Sequence, residues 1–234
     1  MPSKKNRHQL FSAGTLEFLT ELAANNERSW FERQKPRYEA DVVAPALEFI
    51  AAMGPKIAKI SPHFTASPKR MGGSLMRIYR DTRFARDKSP YKTNVGIQFR
   101  HDRGRDVHAP GFYVHLEPGA CFLGTGIWRP DPRALAAIRM EIVDRPKAWQ
   151  KARDGKRFKR HFELGGDSLA RPPRGFPTDA PHMIDLRRKD FIAASDVEDR
   201  KVVTGKAFVD YVAERFETAA PLMRFLCGAL DLKF

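Results

Sequence analysis

Between Arg77 and Tyr91 the chain reads RIYRDTRFARDKSPY, and no other stretch sets so many reactive groups so close together. Four arginines, one lysine and two aspartates are interleaved with Ile78, Tyr79, Phe84 and Tyr91. Planar guanidinium groups grip phosphate or carboxylate through paired N–H donors, and a neighbouring carboxylate orients them. Arg77 and Arg83 are therefore expected to hold an anion, with Asp81 orienting both. Tyr79, Lys88 and Tyr91 complete the candidate binding set of this segment. Lys88 and Tyr91 flank a proline turn, where they either clamp a ligand or pin a hairpin. The competing reading is an ion network in which Asp81 and Asp87 satisfy the basic groups, since charges leave water only when paired. Arg80 falls on the apolar side of a strand drawn through this segment and reads as structural.

Farther along, His115-x-Glu117 sets an imidazole and a carboxylate on one face of a strand, a pairing suited to proton transfer. His115 and Glu117 are the catalytic candidates, and Gln98 and Tyr113 share their face as binding candidates. The chain has no HxxxH, no CxxC and no third ligand beside His115 and Glu117, so no metal site is expected. It has no GxxxxGK[ST] loop, no GxGxxG after a strand and no GxSxG elbow, and no cofactor is assigned.

These groups need a scaffold. Leu16, Leu19, Leu22 and Ala23 predict a short helix ending near Asn25-Asn26. Tyr38, Val42, Ala46, Phe49, Met53, Ile57 and Ile60 predict a second, split in two by Pro45 and Gly54-Pro55. The period then changes to two, giving strands over Leu75 to Phe84, Thr93 to His101, Gly111 to Glu117 and Cys121 to Trp128. Lys88-Ser89-Pro90, Gly104 and Pro118-Gly119 mark the turns of an antiparallel meander. A helical reading that aligns Arg77, Arg80, Phe84, Lys88 and Tyr91 is opposed by Ser89-Pro90 and by the aromatic neighbours. Asp131-Pro132 starts a further helix as N-cap and first residue, buried through Leu135, Ile138 and Ile142. Lys147 to Arg160 is basic around Trp149 and Phe158. Gly165 to Pro181 is too rich in Gly and Pro for regular structure. A fifth strand, Phe191 to Ser195, precedes a last helix through Phe208, Val212, Phe216, Ala219, Met223 and Leu226.

The expected fold is α+β: a single domain over residues 11–234 behind a basic tail at 1–10, with an antiparallel sheet of about five strands and helices on one face. The other face is expected to be a polar, arginine-rich floor partly covered by the Gly/Pro loop, with Gly124 and Gly126 admitting a ligand or backbone. The formal net charge of +14 favours acidic partners: a small anionic ligand, or nucleic acid bound without specificity. Two cysteines without metal-like spacing, no apolar leader segment and no membrane-length stretch point to a cytoplasmic protein.

Phe11-x-x-Gly14, Leu16-x-Phe18-Leu19, Asn25-Asn26, Trp30-Phe31, Lys35, Tyr38 and Gly72-Gly73 precede R-x-x-R-D-x-R-F-x-x-D-K-x-x-Y at Arg77 to Tyr91. Gly111-x-Tyr113, Leu116-x-Pro118-Gly119, Gly124-x-Gly126, Trp128-x-Pro130, Pro173-x-Gly175-Phe176 and Lys189-x-Phe191 follow. In this order they resemble the bacterial domain-of-unknown-function family 2461 over nearly the whole chain. The resemblance implies one domain and a bacterial-type cytosolic setting, and brings no activity or catalytic residues. The chemistry favours binding of a small phosphorylated or carboxylated ligand, with turnover of that ligand as its extension. The alternatives are a nucleic-acid-associated module using Lys147 to Arg160, and an interaction protein whose ion network only holds the fold.

Overall fold

The computed structural model describes residues 10–104 and 109–234, so the basic tail assigned to residues 1–10 lies outside the described residues except for Leu10. Helix α1 (Ala13–Ala24) buries Leu16, Phe18, Leu19 and Leu22 and ends where the Asn25-Asn26 signal places its stop. Helix α2 (Arg28–Tyr38) follows, unforeseen because Phe31 is its one buried residue and gives no stripe to read. A single wide turn of π-helix at Glu39–Val43 passes into α3 (Ala44–Ile60).

The expected break in α3 does not occur. Pro45 lies just past the π turn, and the carbonyl four residues before it, that of Asp41, accepts instead from the Thr15 hydroxyl at 2.6 Å. Pro55 lies inside the helix, and the residue four positions earlier, Ala51, is exposed, so water can take the carbonyl that proline leaves unpaired.

Among the described residues six strands form one antiparallel sheet, one more than the number expected. They are β1 (Phe64–Thr65), β2 (Val95–His101), β3 (Gly111–Leu116), β4 (Phe122–Ile127), β5 (Glu163–Gly165) and β6 (Phe191–Asp196), in the order β1-β2-β3-β4-β6-β5. The meander β2-β3-β4 agrees with the period-two reading. β6 pairs with β4 from Phe122↔Asp196 to Ile127↔Phe191 and carries β5 on its other side.

The predicted first strand, Leu75 to Phe84, is a correction. Only the single bridges Leu75↔Ile97 and Tyr79↔Tyr91 form, so the segment is an irregular antiparallel loop beside β2. Its aspartates compete with the ladder: Asp81 accepts from the Arg83 N–H (3.3 Å) and Asp87 from the Ser89 N–H (2.9 Å). Side chains that bond their own backbone in this way favour turns over extended pairing.

One face of the sheet carries the core. Val95, Ile97, Phe99, Phe112, Val114, Leu116, Leu123, Ile127 and Phe191 are buried there. Helix α9 (Phe208–Ala229) lies against them, its Phe216 ring 4.9 Å from Phe112 and 6.3 Å from Phe99. Helix α4 (Pro132–Asp144) begins as expected, with the Asp131 carboxylate accepting from the Ala134 N–H at 2.8 Å. Helix α5 (Pro146–Asp154) turns Trp149 inward, and α6 (Lys156–Lys159) does the same with Phe158. Short helices α7 (Met183–Leu186) and α8 (Arg200–Val203) bracket β6. Among the described residues no helix is long and apolar enough to cross a membrane.

Candidate functional site

The opposite face of the sheet is the open one, and its character follows from small residues. Gly96 of β2, Gly111 of β3, Gly124 and Gly126 of β4 and Ala194 of β6 all lie on it by the register of the ladders. Tyr113 and Met76 lie over Gly96, but above Gly111, Gly124, Gly126 and Ala194 the sheet is hollow. Met76, Tyr113, Phe122, Trp128 and Ile192 rim the hollow, and Gly165 and Gly166 close one side. The result is a cavity of 560 Å³.

Gly126 has φ +115, a conformation that side chains rarely adopt, and a Cβ there would lie 2.0 Å from the Phe191 carbonyl oxygen. That glycine lets β4 and β6 meet. Gly124 differs: a Cβ there would meet the Tyr113 side chain at an ordinary 3.4 Å, so the position is held open and not crowded.

At the rim a chain of polar groups begins. The Tyr113 hydroxyl lies 3.0 Å from His115 Nδ1, and His115 Nε2 lies 3.0 Å from Glu117 Oε2. The other Glu117 oxygen accepts from the Thr93 hydroxyl at 2.8 Å. One proton arrangement satisfies all three contacts: the phenol donates to Nδ1, and Nε2–H donates to the carboxylate. The His115 ring stacks on Phe122 with centroids 4.6 Å apart and 16° between planes, which fixes its orientation. Burial pushes the Tyr113 phenol up to about 12, with the Glu117 charge adding to the shift and the Asn94 amide opposing it. The phenol is thus protonated at neutral pH, a donor at the mouth of an apolar space.

The expected site residues fall into three places. Gln98 and Tyr113 line the sheet-face cavity, and His115 and Glu117 back it. Tyr79, Lys88 and Tyr91 border a separate groove of 660 Å³ with Asn26, Arg28 and Arg80, and the carboxylates Glu27 and Glu32 share that groove. Arg77, Asp81 and Arg83 are exposed and line neither space. The arginine-rich sheet floor is therefore a correction: the cavity lining carries no arginine or lysine. Charges displaced from a strand into an irregular loop no longer share a face with β2 and β3.

Within that loop the ions pair locally. Arg83 reaches Asp81 through Nε (2.9 Å) and Nη2 (2.7 Å), holding the carboxyl down to about 2. Arg80 pairs with Asp87, whose carboxyl is lowered first by the Ser89 hydroxyl and then by Ser89 N–H and Arg80. Lys88 donates to the Thr82 carbonyl at 2.9 Å and so pins the loop.

Two other polar clusters escaped the sequence reading. Buried Asp185 accepts from Trp149 Nε1 (2.8 Å) and Arg188 Nε (2.9 Å) and pairs with Arg153, joining α5 to α7. Its partners lie 36, 3 and 32 residues away, so no spacing announces it. His63, His101 and Asp102 place a ring nitrogen each and a carboxylate oxygen within 4.8 Å of one another. His101 ends β2 and Asp102 follows it, while His63 precedes β1, so only pairing of the strands brings them together.

Fold and site together define an open-faced antiparallel α+β protein with a glycine-floored apolar cavity and a Tyr-His-Glu chain at its rim. No curated protein and no solved structure matches it. The chain belongs to the family described as "Conserved hypothetical protein (DUF2461)", which it matches over residues 14–225.

Proposed function

We propose that this protein binds a small, mainly apolar ligand with one polar oxygen on the open face of its sheet, where Tyr113 donates a hydrogen bond to that oxygen. The observation that carries the reading is the Tyr113-His115-Glu117 chain ending at the rim of an otherwise apolar cavity. Ligand sites combine apolar walls with a few convergent polar groups, and a volume of 560 Å³ lies within their usual range. A phenol so placed suits a ligand oxygen, because it can turn its single proton from His115 Nδ1 to that oxygen while the Asn94 amide, 3.4 Å away, donates to Nδ1 in its place and Glu117 holds Nε2–H. An anionic ligand fits the cavity poorly, since its lining offers no cation and Glu117 stands behind the phenol.

Gly124→Leu fills the cavity from its floor without forcing the backbone, and Tyr113→Phe removes the donor while keeping the wall. A thermal-shift panel of uncharged carbonyl and phenolic compounds should find ligands that stabilise the wild type, lose all effect on Gly124→Leu and bind several-fold more weakly to Tyr113→Phe. Compounds that stabilise Gly124→Leu as well as the wild type would remove the cavity from consideration. Stabilisation by phosphate or carboxylate compounds alone would move the site to the groove around Arg28, Arg80 and Lys88. That anion reading is the weaker one, because Glu27 and Glu32 share the groove with those three cations.

A further inference from the structure

We propose that His63, His101 and Asp102 form a binding site for a divalent transition-metal ion of the zinc class, independent of the sheet-face cavity. The two lie on different faces: His101 is buried on the helix-bearing face at the end of β2, whereas Tyr113 and His115 lie on the open face.

The argument begins with the His101 tautomer. Its Nε2 lies 2.8 Å from the Lys233 carbonyl oxygen, which can only accept, so Nε2 carries the proton. The Arg103 backbone N–H is directed at Nδ1 from 3.1 Å, so Nδ1 presents its lone pair. Asp102 Oδ1 stands 3.1 Å from that same nitrogen. A carboxylate oxygen beside a ring lone pair is repulsive unless a cation joins them. A proton on Nδ1 would join them too, but it would then oppose the Arg103 N–H. Metal-bound histidines commonly donate their second ring N–H to a backbone carbonyl, which fixes the tautomer, and Lys233 supplies that contact here.

His63 supplies the third donor. Its Nδ1 lies 3.4 Å from Asp102 Oδ2, and its ring is nearly parallel to that of His101, 14° apart with centroids at 5.8 Å. Donors bound to zinc at about 2.0–2.1 Å in tetrahedral geometry stand roughly 3.3 Å apart. The two nitrogens lie 3.1 and 3.4 Å from the two oxygens of one carboxylate, and one donor from each residue falls within 4.8 Å of the others, so a small rotation of the partly exposed His63 and Asp102 completes the set. The Phe64 ring meets His101 edge-on at 5.3 Å and leaves that imidazole little freedom. His63 and Asp102 are partly exposed, so an ion can enter from solvent and keep water at the remaining position. Two imidazoles and one carboxylate with an open position are the donor set of catalytic zinc sites, whereas structural ones close all four. Metal at Nδ1 displaces the Arg103 N–H, which lies next to solvent-exposed chain and can turn to water.

The test uses full-length protein stripped with chelator and titrated with Zn²⁺ or Co²⁺. One ion per chain is expected by calorimetry, with visible absorption of low-coordinate Co²⁺ that Zn²⁺ quenches. Because His101 is buried and its loss threatens folding, the variants are His63→Gln and Asp102→Asn, both at partly exposed positions. Each should weaken affinity at least tenfold with an unchanged far-UV spectrum, and the pair should abolish the cobalt band. Absence of stoichiometric binding overturns the proposal, as does binding that both variants retain at wild-type strength, since the chain has seven histidines and the ion would then sit elsewhere.

Discussion

The side chain of Asn26 grips the main chain of Tyr91 as a neighbouring strand would, its amide donating to the Tyr91 carbonyl (3.0 Å) and its oxygen accepting from the Tyr91 N–H (3.1 Å). The Tyr91 ring completes the attachment by stacking on Phe31 of α2 with centroids 4.1 Å apart. The return of the arginine loop is thus fastened to the junction of α1 and α2, 65 residues earlier in the chain.

Asn26→Ala should therefore loosen residues 77–91 without harming the sheet. Two side-chain hydrogen bonds to backbone are lost, about 1–3 kcal/mol together, which corresponds to a Tm lower by roughly 2–10 °C for a protein of this size. Amide exchange should accelerate at Arg80 and Lys92, whose N–H groups bond across the loop, and remain slow in β3. Uniform acceleration throughout the chain would mean that Asn26 serves the whole fold.

This pair also marks what the sequence discloses. Asn26 and Tyr91 both stand in the motif that carries the family resemblance, yet nothing in their spacing says that one holds the other. The meander was legible because Ile97, Phe99, Phe112 and Val114 alternate with polar residues on half-buried strands. The loop was misread because Arg77, Tyr79, Asp81 and Arg83 alternate too, while the decisive preference came from aspartates bonding their own backbone. His115 and Glu117 were found because they lie two residues apart on one strand. Of the cavity floor, only Gly124 and Gly126 were legible as places of close approach; its apolar character was not, since Gly111 and Gly165 come from separate strands that only pairing brings beside them.

Removing Asp185 should be among the most damaging single changes. Its carboxylate is buried against Trp149, Arg153 and Arg188, and truncation strands the indole N–H and Arg188 Nε while leaving Arg153 only its pairing with Asp154. Loss of one member of such a buried ionic cluster typically costs about 3–5 kcal/mol. Urea unfolding of Asp185→Ala should fall in that range. Arg153→Met in the Asp185→Ala background should cost far less than it does alone, because the two residues act as a unit. Additive losses would show that they do not.

Stability should decline on the alkaline side. Burial pushes the phenols of Tyr38 and Tyr113 up to about 12, above the ordinary value of 10.0. A group whose folded pKa is raised contributes stability that is complete below its unfolded pKa and disappears as pH rises through the folded one. Because burial penalises the ionised phenol, each group lowers stability by about 2–3 kcal/mol as pH rises from about 10 to about 12 and imposes no pH dependence near neutrality. Tyr113→Phe should flatten the stability profile in the alkaline window and leave its slope near pH 7 unchanged. An identical alkaline slope in wild type and variant would remove Tyr113 as a source.

The helical pair α5 and α6 offers a separate test of nucleic-acid association. Lys156, Arg157 and Lys159 are exposed, and Lys159 lies 3.7 Å from Asp154, while Arg153 is drawn into the Asp185 cluster. Replacing all three by alanine should lower the salt dependence of any DNA or RNA binding by up to about three units of slope, with wild-type affinity of only roughly 10⁻⁴ to 10⁻⁶ M. Submicromolar, sequence-selective binding would favour a dedicated nucleic-acid module.

The two margins of the sheet are stubs. β1 spans two residues and β5 three. The stretch of β2 that β1 does not reach is already occupied, for Met76 N–H bonds to Gly96 (2.9 Å) and Gln98 N–H to Ser74 (2.9 Å). An intruding strand from another molecule would find only a few amides in line before the chain bends away. Folded copies of this protein should accordingly resist templating one another into fibrils, and aggregation on heating should begin only once β2 or β6 has been stripped bare by unfolding.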